Sequence, residues 1–574
     1  MENSIFINKE CDTKFINEIK KIETNHNLVL LEEKENNIEI LEVISNTRTN
    51  IISWYPFKEK ATILEIGADF GQLTECLCKK AKKVYSFEIN EKKRYYLIDR
   101  TEGIRNLLIL ESLDELKEKV DYITLIGLEN ITNSPKELLK YVKKFLKEDG
   151  VILLATNNKF GVKYFSTQET SGETISNFVD KKLYSLETLN KFIKEAGFEN
   201  SKVYFPMTNY KFPNAIFTND ERIAKSNLSR NIVYNRKGTI KFYEQNELYS
   251  ALLSEDSFSM EMFANSFFVE IFNDGNIVEN NIRMVTYSNM RKDKYKIMTI
   301  IKNDFVYKYA VNKKSISHIK NVKENIDIMK KYNIKTVDSY DEERIISKYT
   351  KEPTLDKVII QKAKENIDDA LELILKYKNE LYSKFENGTK KDNVFEKYDI
   401  ECSTELLNQM NIKKYGLWDL IFQNCFYIND DFYYYDQEWK EENVPVEFII
   451  YRAIKYFSEL REFIKVEELY KKLNITPEMI EIFDILDDKL QEEIRDELTW
   501  KIHRQGTNVN EIRIQKLTDN HNMNLMKIEI DKLITENKNL KKEVKNLNDR
   551  VKNNIGWHIL KPVRALKNKM KRKE

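Results

Sequence analysis

The chain has 574 residues, a third of them charged, yet 94 basic and 93 acidic side chains leave a formal net charge of only +1. That length exceeds what one hydrophobic core fills, so three or four structural units are expected, and the missing basic excess argues against a nucleic-acid binder. Cys11, Cys76, Cys78, Cys402 and Cys425 are scattered without a zinc spacing, and five histidines make no metal cluster. No apolar run reaches membrane-spanning length and no signal-peptide core is visible, so a reducing, cytoplasmic compartment is expected.

Residues 1–50 read as an N-terminal extension. From Trp54 to about Ile216 strands and helices alternate, the pattern of a parallel sheet covered on both faces. The strands fall at Thr62–Ile66, Lys83–Glu88, Leu107–Leu110, Tyr122–Ile126 and Gly150–Ala155, with antiparallel candidates near Lys202–Phe205 and Ile216–Thr218. Helices fill the gaps, for example Lys136–Leu146 and Leu186–Ala196. The first domain is therefore set at 51–225.

Its most informative stretch is TILEIGADFGQLTECL, residues 62–77. An apolar strand breaks into Gly67-Ala68-Asp69-Phe70-Gly71 and a helical pattern follows. A Gly-x-Gly-x-x-Gly loop would favour a dinucleotide, but Asp69 stands where the second glycine belongs and Gln72 where the third does. Asp tolerates a left-handed backbone better than most residues, so Asp69 can hold the turn. On the loop alone, Gly67 and Gly71 could simply make a tight strand–helix turn. Glu88 closes the next strand, Asp121 opens the fourth, and Lys147-Glu148-Asp149-Gly150 introduces the fifth.

Glu65-x-Gly67-x-x-x-Gly71 together with Glu88 resembles the cofactor loop of class I S-adenosylmethionine-dependent methyltransferases, which have a Rossmann-like α/β fold. The resemblance implies S-adenosyl-L-methionine as cofactor, held by Glu65, Gly67, Ala68, Asp69, Gly71, Glu88 and Ser112, with Glu88 accepting both ribose hydroxyls. After the fourth strand the chain reads LIGLENITNSP. It lacks the Asn/Asp-Pro-Pro-aromatic run of methyltransferases acting on bases or amides. Glu129, Asn157, Asn158 and Lys159 face the pocket by position, and each serves equally well as scaffold. Methyl transfer to a good nucleophile needs mainly alignment.

The second informative stretch is YGLWDLIFQNCFYINDDFYYYDQEW, residues 415–439. Two aromatic runs between Phe426 and Tyr435 form a hairpin across Asn429-Asp430-Asp431. Asp419 sits five residues before Asn424, and Asp436 follows the second strand. This order resembles protein-kinase-like and aminoglycoside-phosphotransferase-like enzymes. The resemblance gives Asp419 the alignment of an acceptor hydroxyl, and Asn424 and Asp436 the magnesium ion on ATP. Upstream, Arg283–Tyr287, Tyr295–Ile301 and Phe305–Val311 look like three strands of an N-lobe. Lys308 takes the place of the phosphate-binding lysine, and Glu324, on a helix over Ser317–Lys331, that of its ion-pair partner. RIISKYTKEPTL, residues 344–355, resembles a hinge and first helix. The loop SNMRKDK has no glycine, leaving Ser288 and Arg291 for phosphate contact, and Trp418 replaces the usual residue before Asp419. This α+β kinase-like domain is set at 240–470, followed by a helical linker over 471–520.

From Met523 the chain turns to heptads: Met523, Met526, Ile530, Leu533, Asn537, Leu540, Val544, Leu547 and Val551 alternate steps of three and four. That is the seam of a coiled coil over 521–555, and Asn537 at a core position favours two strands and so a homodimer. Residues 556–574 combine Trp557, Ile559, Leu560, Val563 and Leu566 with seven Lys and Arg, a basic amphipathic tail suited to an anionic leaflet.

The domain order, with NIISWYPF before the cofactor loop and FYYYDQEW after the hairpin, resembles the methyltransferase–kinase enzymes that terminate bacterial O-antigen chains and related surface-glycan methyltransferases. The resemblance implies a glycan or glycan-linked acceptor, a glycosyltransferase partner, no nucleic acid, and a cytoplasmic place with peripheral contact at the inner face of the membrane. Two alternatives stay open: a methyltransferase whose second domain only recognises, and a coiled-coil scaffold with inactive enzyme folds.

Overall fold

A computed structural model of the chain describes residues 2–8, 10–25, 31, 37–168, 183–219, 240–241, 245–253, 260–274, 277, 279–497, 499 and 523–553. The basic tail 556–574 and the linker stretch 501–520 lie outside the described residues. The chain forms two compact units, Met1–Glu511 and Ile512–Glu574.

Runs rich in Ile, Val, Leu and aromatics build the first domain's sheet, because such side chains pack well on a pleated surface buried on both faces. Its strands are β1 (Thr62–Ile66), β2 (Lys83–Phe87), β3 (Leu107–Leu110), β4 (Val120–Ile126), β5 (Leu146–Asn157), β6 (Asn200–Met207), β7 (Ala215–Phe217) and β8 (Ser266–Phe272). β3, β2, β1, β4 and β5 run parallel in that spatial order. β8 then lies antiparallel between β5 and β6. No strand was expected here from the sequence. SFFVEIF lies past the expected boundary at 225, inside the range given to the kinase-like domain, yet all seven residues are buried within the first sheet. An uninterrupted apolar run belongs in a sheet interior, and only the fold shows which sheet. Leu146 also opens β5, where helix had been expected; the helix before it spans Pro135–Lys143.

β7 pairs with β6 on one side and with β9 (Ile282–Tyr287) on the other. Through it the sheet continues into β10 (Ile297–Lys302), β11 (Phe305–Ala310), β12 (Asp338–Tyr340) and β13 (Ile345–Lys348), giving one sheet of thirteen strands. The helix Ile316–Lys331 packs on the second half, with Ile319, Val322 and Ile326 in its apolar stripe. The hairpin Cys425–Ile428/Asp431–Tyr434 turns at Asn429 and Asp430, both left-handed at φ +50 and +66, as a two-residue hairpin loop requires. The helix Pro477–Ile494, expected in the linker, instead buries Met479, Phe483, Leu486 and Leu490 in the core of the second domain.

The stretch NIISWYPF is core rather than site. Trp54 packs edge-on against Tyr204 and Phe268, and Tyr55 against Phe57 and Tyr122, behind the sheet. In the second unit the helix Met523–Asn553 carries exposed side chains along most of its length. Among the described residues no helix is long and apolar enough to cross a membrane.

Candidate active site

β1 ends at Ile66 and the chain reverses through Gly67 at φ +74, Asp69 at φ +53 and Gly71 at φ +78. A Cβ on Gly67 would stand 2.6 Å from Ile131 Cγ1, and one on Gly71 2.7 Å from Leu97 Cδ1, so both turns need glycine. Asp69 holds the left-handed position expected of it. Its backbone N–H donates to Glu88 Oε2 at 2.8 Å, and Asn90 N–H donates to Glu88 Oε1 at 2.9 Å. Each oxygen keeps the capacity to accept a further hydrogen bond. Burial, then the nearby Asp69 charge, raises the Glu88 pKa.

Glu65 is buried under the loop, where Thr74 Oγ1 and Ser86 Oγ both donate to its Oε2 at 2.7 Å. Burial outweighs these bonds and pushes its pKa up to about 7. Asp69 pairs with Lys93 Nζ at 2.5 Å. Burial opposes its charge, but Lys93 prevails and holds its pKa below the ordinary value. Asp69 is thus committed to the protein's own lysine.

These groups line a cavity of about 310 Å³, which suits a nucleoside-sized cofactor. Glu65, Gly67, Ala68, Asp69 and Glu88 border it, whereas Gly71 is not among its walls and acts through the turn. Ser112 is a correction. It caps the short helix Leu113–Glu115, bonding Asp114 N–H while Glu115 bonds back to its own N–H, and does not line the cavity.

Sequence reasoning missed the opposite wall. Phe6, Ile7, Phe15, Glu42 and Arg48 from the N-terminal segment, and Tyr210 and Lys211 from the loop after β6, complete the cavity. Arg48 Nη1 donates to Tyr210 O at 2.8 Å and its guanidinium lies 5.2 Å from the Tyr210 ring centroid. With Lys93 and Lys211 it brings positive charge to a pocket that Glu39, Glu42, Glu65, Asp69 and Glu88 also line. No local motif marks Arg48; its nearness to NIISWYPF was the only signal. Glu129, weighed as a base, accepts from Thr156 Oγ1, Asn157 Nδ2 and Tyr210 OH at 2.6–2.9 Å, and so holds this wall together. Asn158 Nδ2 donates to the backbone carbonyls of Met262 and Ala264.

In the second domain the structure gathers Lys308, Asp419, Asn424 and Asp436. Lys308, on β11, pairs with Asp436 and lies 3.6 Å from Glu438 Oε1. Asp436 N–H donates to Asp338 Oδ2 at 2.9 Å. Asn424 Nδ2 and Gln437 Nε2 both donate to Asp419 O, at 3.2 and 2.8 Å, tying the loop to the hairpin. Burial pushes the Asp419 pKa up to about 6 although Arg452 Nη2 lies 3.3 Å from its carboxylate.

Glu324 is the second correction. It is exposed and pairs at 3.7 Å with Lys440, because its position on Ile316–Lys331 turns outward. Six residues earlier, His318 faces inward, 3.1 Å from Glu438 Oε2 and stacked on Trp439. Glu438 also binds Arg291, so one buried carboxylate joins strand, helix and the loop between β9 and β10. Burial would raise its pKa, but Arg291, His318 and Lys308 together hold it well below the carboxylate range. Asp436 and Asn424 offer two donors for a metal ion; among the described residues no three His, Cys, Asp or Glu side chains form a metal cluster.

Residues 42–203 match a family model described as a methyltransferase domain. No curated protein matches the chain. Similar solved structures include a SAM-dependent methyltransferase from Aquifex aeolicus, 19% identical over 34% of this chain and 92% of that one, with TM-score 0.24. Another from Archaeoglobus fulgidus is 16% identical over 46% and 100%, with TM-score 0.26. A cyclopropane synthase from Mycobacterium tuberculosis is 14% identical over 39% and 81%, with TM-score 0.26. With the family match over the loop, the acidic strand end and the cavity, the first domain is an S-adenosylmethionine-dependent methyltransferase.

Proposed function

We propose that this methyltransferase acts on a glycan or glycan-linked acceptor in bacterial surface-polysaccharide assembly, and that its second domain phosphorylates that acceptor with Mg-ATP. The observation that carries the kinase reading is the meeting of Lys308 with Asp436, beside Asn424 and Asp419, from segments far apart in the chain. In phosphoryl transfer the protein mainly positions groups and neutralises charge. Lys308 would hold phosphates, Asp436 and Asn424 would hold magnesium, and Asp419 would align the acceptor hydroxyl. The glycan acceptor, a glycosyltransferase partner and contact with the inner membrane face rest on the domain order and on the composition of 556–574.

One observation favours a second reading. Asp419 is engaged by Arg452, which also binds the buried Asp487, and a carboxylate so held suits a recognition module that performs no transfer. Calorimetric titration of Mg-ATP into the intact protein, beside Asp436→Asn, separates the two. Magnesium-dependent binding lost in the variant supports phosphotransfer. No binding in either leaves a methyltransferase with a kinase-shaped recognition domain.

A further inference from the structure

The helix Met523–Asn553 is long and continuous, and most of its described apolar side chains are exposed. Leu533, Ile534, Leu540, Val544 and Leu547 are each at least half exposed, at 50–61%. An amphipathic helix draws most of its stability from what its apolar face packs against, so this face calls for an occupant. We infer that the occupant is the same helix of a second copy, paired parallel and in register as a two-stranded coiled coil.

The seam itself selects the number of strands. Between Ile530 and Leu547 the core positions first in each heptad are Ile530, Asn537 and Val544, and those fourth are Leu533, Leu540 and Leu547. β-Branched residues at the first position with leucine at the fourth favour two parallel strands, and a single buried asparagine fixes register. In a parallel pair Asn537 meets Asn537 of the other copy, and each amide satisfies the other.

Flanking charge selects the orientation. In the parallel register Glu536 of one helix faces Lys541 of the other, twice by symmetry, while Glu543 faces the neutral Asn548. The fully overlapped antiparallel pairing sets Asn537 against Leu540, leaving a buried amide unsatisfied. It also brings Glu536 against Glu543 at both ends of the dyad, a like-charge contact that opposes pairing. Sliding the antiparallel pair by one heptad meets Glu536 with Glu536 in one direction and Lys541 with Lys541 in the other. Only the parallel register satisfies both the asparagine and the charges.

In such a pair both chains enter the coil at the same end. This inference does not depend on whether the second domain transfers phosphate.

Light scattering on the full chain is expected to give twice the 68.5 kDa of one chain. Leu540→Glu should halve that mass while leaving S-adenosylhomocysteine binding unchanged, which shows that the variant is folded. Orientation is read with Leu547→Cys in a Cys76→Ser, Cys402→Ser background, which removes the two native thiols that are not buried. Mild oxidation should convert it to a reductant-sensitive dimer, and the background alone should not cross-link. A monomer, trimer or tetramer mass overturns the inference. So does a dimer that fails to cross-link at 547, because an antiparallel pair sets that position opposite 530.

Discussion

The buried Glu65 should make methyl-donor binding a proton-linked event. Its pKa stands at about 7, against about 4.3 for a free glutamate. S-adenosylmethionine brings a sulfonium and an ammonium into the cavity that Glu65 borders, and a nearby cation favours the carboxylate. Binding should therefore expel the proton. For a pKa near 7 drawn down to the ordinary range, about half a proton leaves per cofactor bound at pH 7, about nine-tenths at pH 6, and almost none at pH 9. The sign follows: affinity rises with pH up to about 7 and then levels, and at pH 6 it is about fivefold weaker than at pH 7. Calorimetry in two buffers of contrasting ionisation enthalpy reads the proton count directly. Glu65→Gln keeps acceptors and shape near Thr74 and Ser86 but has no proton to lose, so its binding heat should not depend on the buffer. Equal buffer dependence in wild type and Glu65→Gln, or none in wild type at pH 7, would refute the linkage.

Three further outcomes test other parts of the structure. Gly67→Ala must hold a left-handed backbone at a cost of roughly 1–2 kcal/mol and set its Cβ against Ile131, so cofactor affinity should fall at least tenfold; Ile131→Ala, which removes both close side-chain atoms, should recover part of it if the overlap matters, which titration with S-adenosylhomocysteine decides. Glu324→Ala should leave Mg-ATP affinity unchanged, because its carboxylate is exposed, whereas Glu438→Ala strips Arg291, His318 and Lys308 of their common partner and should alter both affinity and melting. Equal effects from the two variants would restore the helix carboxylate to its expected role. Asp487→Ala leaves Arg452 buried beside Asp419 and should cost about 3–5 kcal/mol, seen as a large fall in the denaturant midpoint; a change below about 1 kcal/mol would mean that water reaches the guanidinium.

The sequence by itself determined what local physics governs. Alternating periods, a strand that breaks at glycine, and an aspartate able to stand at positive φ were enough to place the turn through Gly67, Asp69 and Gly71, while the cofactor followed only from the resemblance of that loop to a known family. The strands at 282–310 and the hairpin around Asn429 were legible for the same reason, since a two-residue turn flanked by aromatic runs has few other conformations. Tertiary structure decided everything that depends on which distant segments meet. SFFVEIF could have entered any buried sheet, and it became β8 because β5 and β6 left a space between them. Arg48 and Tyr210 make a pocket wall only because the N-terminal segment folds across the loop after β6. Glu324 and His318 lie on one helix, and the rotation of that helix against Glu438 gave the inward place to the histidine. Spacing along the chain sets a residue's height on a helix, but the packing of its apolar stripe sets the direction it faces.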